Sequence, residues 1–403
     1  MEPLAEADRS RAARNANVAA VMTFAAFLGL GFALPFLPLF VQELGVADPK
    51  DAAQWAGVLI GVGPLLAGLL APFWGGLADR HGYKRIALLA LTAIGLAQVV
   101  ASVARSPMHV MVSRILSGLF GGVGPLGLAM ASGSSQKGGG ASKAIGKIQA
   151  AQILAAGFGP LLGGTLASYL GIRAAFWGAS VSCLFAALVV GFFYSEEGPA
   201  SRVPLPAAAS SAFVQPRGFF AALVFVVFFV NFASRSFTPI LPAQLGFLGV
   251  APSSLAMSTG ILISAYSIAA AVSSFGFGRL AAAIDPVRLI GLSFFLSLFA
   301  AISMAYVSTF AAFLGVALVY GIVSGGGLTL GYSIGSRRFP EASRGASFGK
   351  LSGAALIGGA IAPALAAFVA RSALEDVYWM NALIYVLLIG VAVWFLRGPA
   401  SRA

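Results

Sequence analysis

Charge is what this chain has least of. Only 9% of its residues are Asp, Glu, Lys or Arg, against about a quarter in a soluble domain. With 59% hydrophobic residues and a mean hydropathy of +0.92, a soluble fold of 403 residues has no means of hiding so much apolar surface. The surrounding solvent is therefore lipid. The single cysteine, Cys183, lies inside an apolar run, which excludes a disulfide framework and a thiolate metal cluster and leaves a small packing residue. Two histidines and scattered acids offer no metal site. No serine or cysteine has a plausible base nearby, so enzymatic chemistry and a cofactor are not expected. The nearest approach to a phosphate-binding loop, "GASFGKL" at 345–351, is one residue short between its glycines and has Leu351 where Ser or Thr is required. ATP is not the fuel.

Long apolar runs are there instead. A helical crossing needs roughly 20 apolar residues, and twelve such runs are placed near 17–43, 55–77, 86–104, 109–133, 146–170, 174–195, 218–245, 254–280, 287–307, 309–334, 346–370 and 377–397. The first is too long for a signal-peptide core and is kept as a helix of the mature protein. The stretch 196–217 is the one long polar, Pro- and Ser-rich connection, and it reads as a flexible linker. The expected organisation is a cytoplasmic tail over 1–16, a six-helix bundle over 17–195, the linker 196–217, a second six-helix bundle over 218–397 and a tail over 398–403.

The bundles read as copies. Gly75, Leu77 and Arg85 recur 203 residues later as Gly278, Leu280 and Arg288, Gly118 recurs as Gly321, and Gly146-Lys147 recurs as Gly349-Lys350. "PFLP" at 35–38 matches "PILP" at 239–242 with an offset of 204. Parallel six-helix halves are a known transporter plan. The net charge of +12 then reads as orientation and not as nucleic-acid binding. Of the 25 Lys and Arg, Lys50, Arg105, Arg173 and Arg371 fall on one side, Arg114 and Arg235 fall within spans, and the rest share the other side. The positive-inside rule puts that richer side, with both termini, in the cytoplasm.

"GGLADRHGYKR" at 75–85 packs six ionisable side chains into the link between spans 2 and 3. Its pattern, with Gly75, Asp79, Arg80, Gly82, Lys84 and Arg85, resembles the signature loop of the major facilitator superfamily. Three further stretches resemble its twelve-span drug:proton antiporter branch. They are "LGLGFALPFLP" at 28–38, "RILSG" at 114–118, and "AAGFGPLLGG" at 155–164, with Ala155 where Gly is usual. The resemblance implies an all-α membrane protein of twelve transmembrane helices in two six-helix halves, the major facilitator fold. It also implies that Asp79 docks near the start of the eleventh span, around Ser347, as a cytoplasmic latch. Tyr83 stands where the family usually has Arg, and Ala282 replaces Asp79 in the second copy, so only the first loop is expected to latch. Gly159, Pro160, Gly163 and Gly164 would make a bent, closely packed fifth span at the seam between the halves.

Arg114 and Arg235 are costly within spans, about 2.5–3.5 kcal/mol each at a helix centre on insertion scales, and so are expected to face a cavity, the alternative being that their long side chains reach the outer membrane surface. The resemblance puts their spans, 4 and 7, among the four that line it. Gln149, Gln152, Asn231, Tyr266 and Tyr320 are the expected neighbours in a substrate site. No Asp or Glu falls in the interior of a span, which leaves Asp79, Glu43 and His109 as candidates for coupling to protons.

The function expected is secondary active export of small amphipathic or lipophilic compounds, a multidrug efflux activity of the kind that confers antibiotic resistance. It would run by alternating access in exchange for protons, from a monomer in the bacterial inner membrane. Two alternatives stand beside it: an uptake symporter for sugars or organic acids, and a membrane scaffold or sensor without a transport cycle.

Overall fold

A computed structural model describes residues 2–133, 140–196, 217–339 and 344–396. Twelve helical segments in it are long and apolar enough to cross a membrane, and no strand occurs among the described residues. This is the expected number. The linker over 197–216 and the tail over 397–403 lie outside the described residues.

Sixteen α-helices build the twelve spans because several spans are interrupted. Span 1 is α1 (Glu2–Ala33), a 3-10 turn at Leu34–Phe36 and α2 (Leu37–Glu43). Helix therefore begins within the stretch expected as a tail. Span 2 is α3 (Pro49–His81), span 3 is α4 (Tyr83–Ser102), and span 4 is α5 (Pro107–Leu119) followed by α6 (Val123–Gly133). Spans 5 and 6 are α7 (Gly140–Leu170) and α8 (Ile172–Phe193). Span 7 is α9 (Arg217–Arg235) with α10 (Leu241–Phe247), and spans 8 and 9 are α11 (Leu255–Ala283) and α12 (Pro286–Tyr306). Span 10 is α13 (Phe310–Ser324) with α14 (Gly326–Arg338), and spans 11 and 12 are α15 (Arg344–Val369) and α16 (Asp376–Val391).

The interruptions have local causes, and they repeat. Pro35 and Pro38 break span 1, and Pro239 and Pro242 break span 7 at the corresponding place, since each proline removes a backbone donor and crowds the preceding turn. Span 4 breaks between Leu119 and Val123, where the Trp74 indole donates to the Leu119 carbonyl at 2.6 Å and satisfies one of the freed acceptors. Span 10 breaks at Gly325. Spans 1, 4, 7 and 10 are the discontinuous ones, the pattern seen where transporter helices form binding sites.

The chain divides into two compact units, Met1–Gly45 with Val62–Leu205 and Val46–Gly61 with Pro206–Ala403. In the first, α1 packs on α7 and α8, and α4 packs on α8. In the second, α9 packs on α15, and α12 packs on α16, the same pairing of first with fifth and third with sixth spans. One contact carries the 203-residue offset into three dimensions. A Cβ at Gly118 would stand 2.8 Å from the carbonyl oxygen of Gly63, and a Cβ at Gly321 would stand 2.7 Å from that of Tyr266. Tyr266 is the copy of Gly63 in this register.

The N-terminal end of span 2 groups with the second unit, a feature the expected boundaries lack. Gly57 explains it: a Cβ there would lie 2.6 Å from the Pro363 carbonyl oxygen and 2.9 Å from Ala364 Cα, so only a bare backbone packs this closely. Arg371 pairs with Asp51 at 3.1 Å, and Lys50 Nζ donates to the Arg371 carbonyl at 2.7 Å.

Candidate functional site

In the first unit the costly residue is Arg114. It sits mid-way along α5 and is only 2% exposed, which rules out a side chain that reaches the membrane surface. Gly63 on α3 makes the room, because a Cβ there would stand 3.0 Å from the Arg114 Nη2 atom. One turn further along α5, Ser117 is also buried, and its hydroxyl has no hydrogen-bond partner among the described residues. Gln152 is half-buried, and a Cβ at Gly124 would lie 3.5 Å from the Phe27 ring and 4.0 Å from Gln152 Nε2. Gln152, Phe27 and Gly124 therefore meet. Gln149, expected beside them, is exposed.

The second unit presents a different arrangement. Arg235 is exposed at the last turn of α9 and does not share the burial of Arg114. Gly359 on α15 admits both it and Asn231, since a Cβ there would lie 2.9 Å from Asn231 Oδ1 and 3.5 Å from Arg235 Cγ. Tyr266 stacks on Tyr320 with ring centroids 5.7 Å apart. Tyr320 is completely buried, its hydroxyl 2.7 Å from that of Tyr385. It belongs to the core behind Tyr266, where an aromatic with a bonded hydroxyl packs at low cost, and so it is not a surface that a ligand meets first.

The fifth-span glycines are placed where the sequence did not anticipate. A Cβ at Gly159 would lie 2.9 Å from Gly31 Cα and 3.2 Å from the Leu28 carbonyl oxygen, and one at Gly163 would lie 2.6 Å from Phe32 Cα. Both glycines pack backbone to backbone on span 1 of their own bundle. Pro160 and Gly164 are buried in the same helix. The "LGLGFALPFLP" and "AAGFGPLLGG" stretches are thus two sides of one contact, because a Cβ at Gly31 would likewise lie 2.9 Å from Gly159 Cα.

The charged loop ends α3 and begins α4. Gly82 takes φ of +95°, a conformation that glycine adopts without penalty. Asp79 is exposed and accepts a hydrogen bond from the Tyr83 hydroxyl one turn on, so the tyrosine in the usual Arg position supplies a donor in place of a charge. Glu196, just beyond α8, closes the loop. Its two carboxylate oxygens accept from the backbone N–H groups of Tyr83 and Lys84 at 3.0 Å each, where a carboxylate satisfies the free donors and the positive end of the α4 dipole. Nearby, Asn15 is completely buried and exchanges hydrogen bonds with the Ser195 backbone at 2.9 and 3.2 Å. Sequence reading missed Asn15 and Glu196, since both stand in stretches that composition assigned to tail and linker.

The remaining candidates for proton transfer are peripheral. Glu43 is exposed at the end of α2, and His109 is exposed with its Nδ1 2.7 Å from Ser106 Oγ. Arg173 at the start of α8 donates to the carbonyls of Ser102 and Ala104 at 2.7 and 2.8 Å and ties spans 3 and 6 together.

Comparison with known proteins adds three findings. A family model described as Major Facilitator Superfamily matches residues 19–258 and 223–403. The multidrug resistance protein MdtG of Proteus mirabilis is 32% identical over 298 residues, covering 72% of this chain and 73% of that protein. Its Yersinia enterocolitica counterpart is 30% identical over 287 residues, covering 70% and 69%. Among solved structures, a bacterial homologue of the human lysosomal transporter Spinster is similar with a TM-score of 0.76 at 16% identity, covering 96% of each chain. The human organic anion transporter MFSD10 is similar with a TM-score of 0.68 at 17% identity, covering 94% of this chain and 99% of that one.

Proposed function

This chain belongs to the major facilitator superfamily and is a transporter and not an enzyme, and from that premise we propose that it exports small amphipathic or lipophilic compounds in exchange for protons. The observation that carries the reading is its similarity, over about three-quarters of the chain, to relatives named multidrug resistance proteins. The backbone contact between Gly31 and Gly159 supports it, because it joins the two stretches that resemble the antiporter branch.

The mechanism proposed is alternating access. The interrupted spans 1, 4, 7 and 10 supply free backbone groups and local bends of the kind that form substrate sites in transporters. Arg114, Gln152, Asn231, Arg235 and Tyr266 are the substrate contacts, with Tyr320 holding Tyr266 from behind. Asp79 and its loop act as the charge-sensitive gate. Proton exchange runs through a boundary group, since Asp79, Glu43 and His109 are all exposed at span ends. The protein lies in the inner membrane with both termini cytoplasmic, as the distribution of basic residues supports.

The test is drug accumulation in an efflux-deficient host that expresses the chain, with and without a protonophore. Export predicts lower accumulation that the protonophore reverses. Proton-driven uptake of sugars or organic acids with no drug efflux would replace this reading by the symporter one. Absence of any substrate-dependent conformational change would point to a scaffold.

A further inference from the structure

Spans 3 and 6 leave a cleft on the basic side of the first unit. Its inner part is an apolar groove of about 580 Å³ lined by Leu88 and Thr92 of α4 and by Leu184, Leu188, Gly191 and Phe192 of α8. Gly191 opens it: a Cβ there would meet only Leu88, at an ordinary 3.7 Å. Its outer part is a pocket of about 420 Å³ lined by Arg80, His81, Lys84, Arg85 and Glu196.

Register joins the two. Lys84, Leu88 and Thr92 stand at i, i+4 and i+8 of one helix, and so on one face, over about 12 Å of its length. Opposite them, Gly191 and Phe192 close α8, and Glu196 follows three residues beyond its end at Phe193. The register thus sets the apolar groove in line with the cationic pocket at the end of both spans, the level at which lipid headgroups lie.

The charges select the headgroup. Arg80, Lys84 and Arg85 outnumber Glu196, and both oxygens of Glu196 already accept from the Tyr83 and Lys84 backbone. The pocket therefore stays net positive while its carboxylate orders the wall. A phosphodiester without its own ammonium complements it, and a choline headgroup brings a cation into a cationic pocket. A free phosphate fills the mouth and leaves the groove empty.

We propose that the cleft between spans 3 and 6 is a phospholipid site, with an acyl chain in the groove and the phosphate of an anionic headgroup held by Arg80, Lys84 and Arg85.

Native mass spectrometry of the delipidated full-length protein tests this with phosphatidylglycerol and phosphatidylcholine of matched chains. The parent should retain the glycerol lipid about tenfold more tightly, the scale of one charge-assisted contact. Lys84→Gln with Arg85→Gln should abolish the preference, and Gly191→Phe should remove most of the retained lipid by filling the groove. Millimolar inorganic phosphate should displace none of it. Equal retention of both lipids by the parent, displacement by phosphate, or full retention by a folded Gly191→Phe variant would overturn the proposal. A phosphatidylglycerol with a photoreactive acyl chain tests the parent independently of any variant. Crosslinks should fall in 88–92 and 184–192, and crosslinks confined to other spans overturn the site.

Discussion

At the scale of single residues, Arg114 is the position where function and stability pull apart. Its guanidinium is buried on a membrane helix, and a charge there costs about 2.5–3.5 kcal/mol at a span centre. Arg114→Leu removes the charge at similar side-chain length, and export should fall at matched expression in an efflux assay. A second expectation concerns selectivity. Arg114 and Arg235 are the cations that the sequence places away from the span ends, and no carboxylate lies in a span interior. An acid-bearing lipophile is attracted to these cations, most strongly to the buried Arg114, and a permanent cation is repelled. Arg114→Ala should lower export of acid-bearing compounds more than that of neutral ones in paired efflux assays. Efflux of a quaternary ammonium dye that is strong and indifferent to Arg114→Ala would show that selectivity lies elsewhere. Asp79→Asn keeps the side-chain shape and removes its charge. Export should fall sharply at matched expression while membrane insertion stays normal, because topology follows the basic residues.

At the scale of elements, span 5 carries its own control. Gly159 and Gly146 both lie on α7, yet a Cβ at Gly159 would press on the Gly31 backbone at 2.9 Å, and one at Gly146 meets nothing within 4 Å. A backbone cannot rotate aside as a side chain does, so Gly159→Leu must push spans 1 and 5 apart. Gly159→Leu should lose export and several degrees of melting temperature, and Gly146→Leu should behave as the parent in both assays. Equal behaviour of the two variants would reduce the motif to ordinary lipid-facing helix. The contact also explains why the motif was legible while its partner was not. Clustered glycines announce a close approach, but any small-residue face on a neighbouring helix satisfies them.

At the scale of the whole molecule, duplication and orientation make one prediction together. An even number of spans returns the chain to its starting side, and the basic links select which side that is. Single cysteines introduced into a Cys183→Ser background at Ser106 and at Ser201 should label from opposite faces of the membrane. Ser201 should be accessible only from the cytoplasm. Labelling of both from one side would break the twelve-span order.

The sequence by itself determined the solvent, the number of spans and the internal repeat. Each of these rests on the length of apolar runs against the thickness of a bilayer, or on identities at a constant offset, and needs no knowledge of what touches what. The four broken spans were partly legible: Pro35 and Pro239 mark two and Pro125, in the first turn of α6, marks a third, whereas the break after Ser324 carries no proline. Only the tertiary structure decided that Gly159 meets Gly31, that Arg114 is buried and Arg235 exposed, that Tyr320 belongs to the core, and that Glu196 caps span 3. The physical reason is the membrane itself. In water an apolar stripe tells which face of a helix turns inward, but in lipid both faces are apolar. Which face packs is then settled by shape and by the pairing of a few polar groups, and those partners are far apart in the chain.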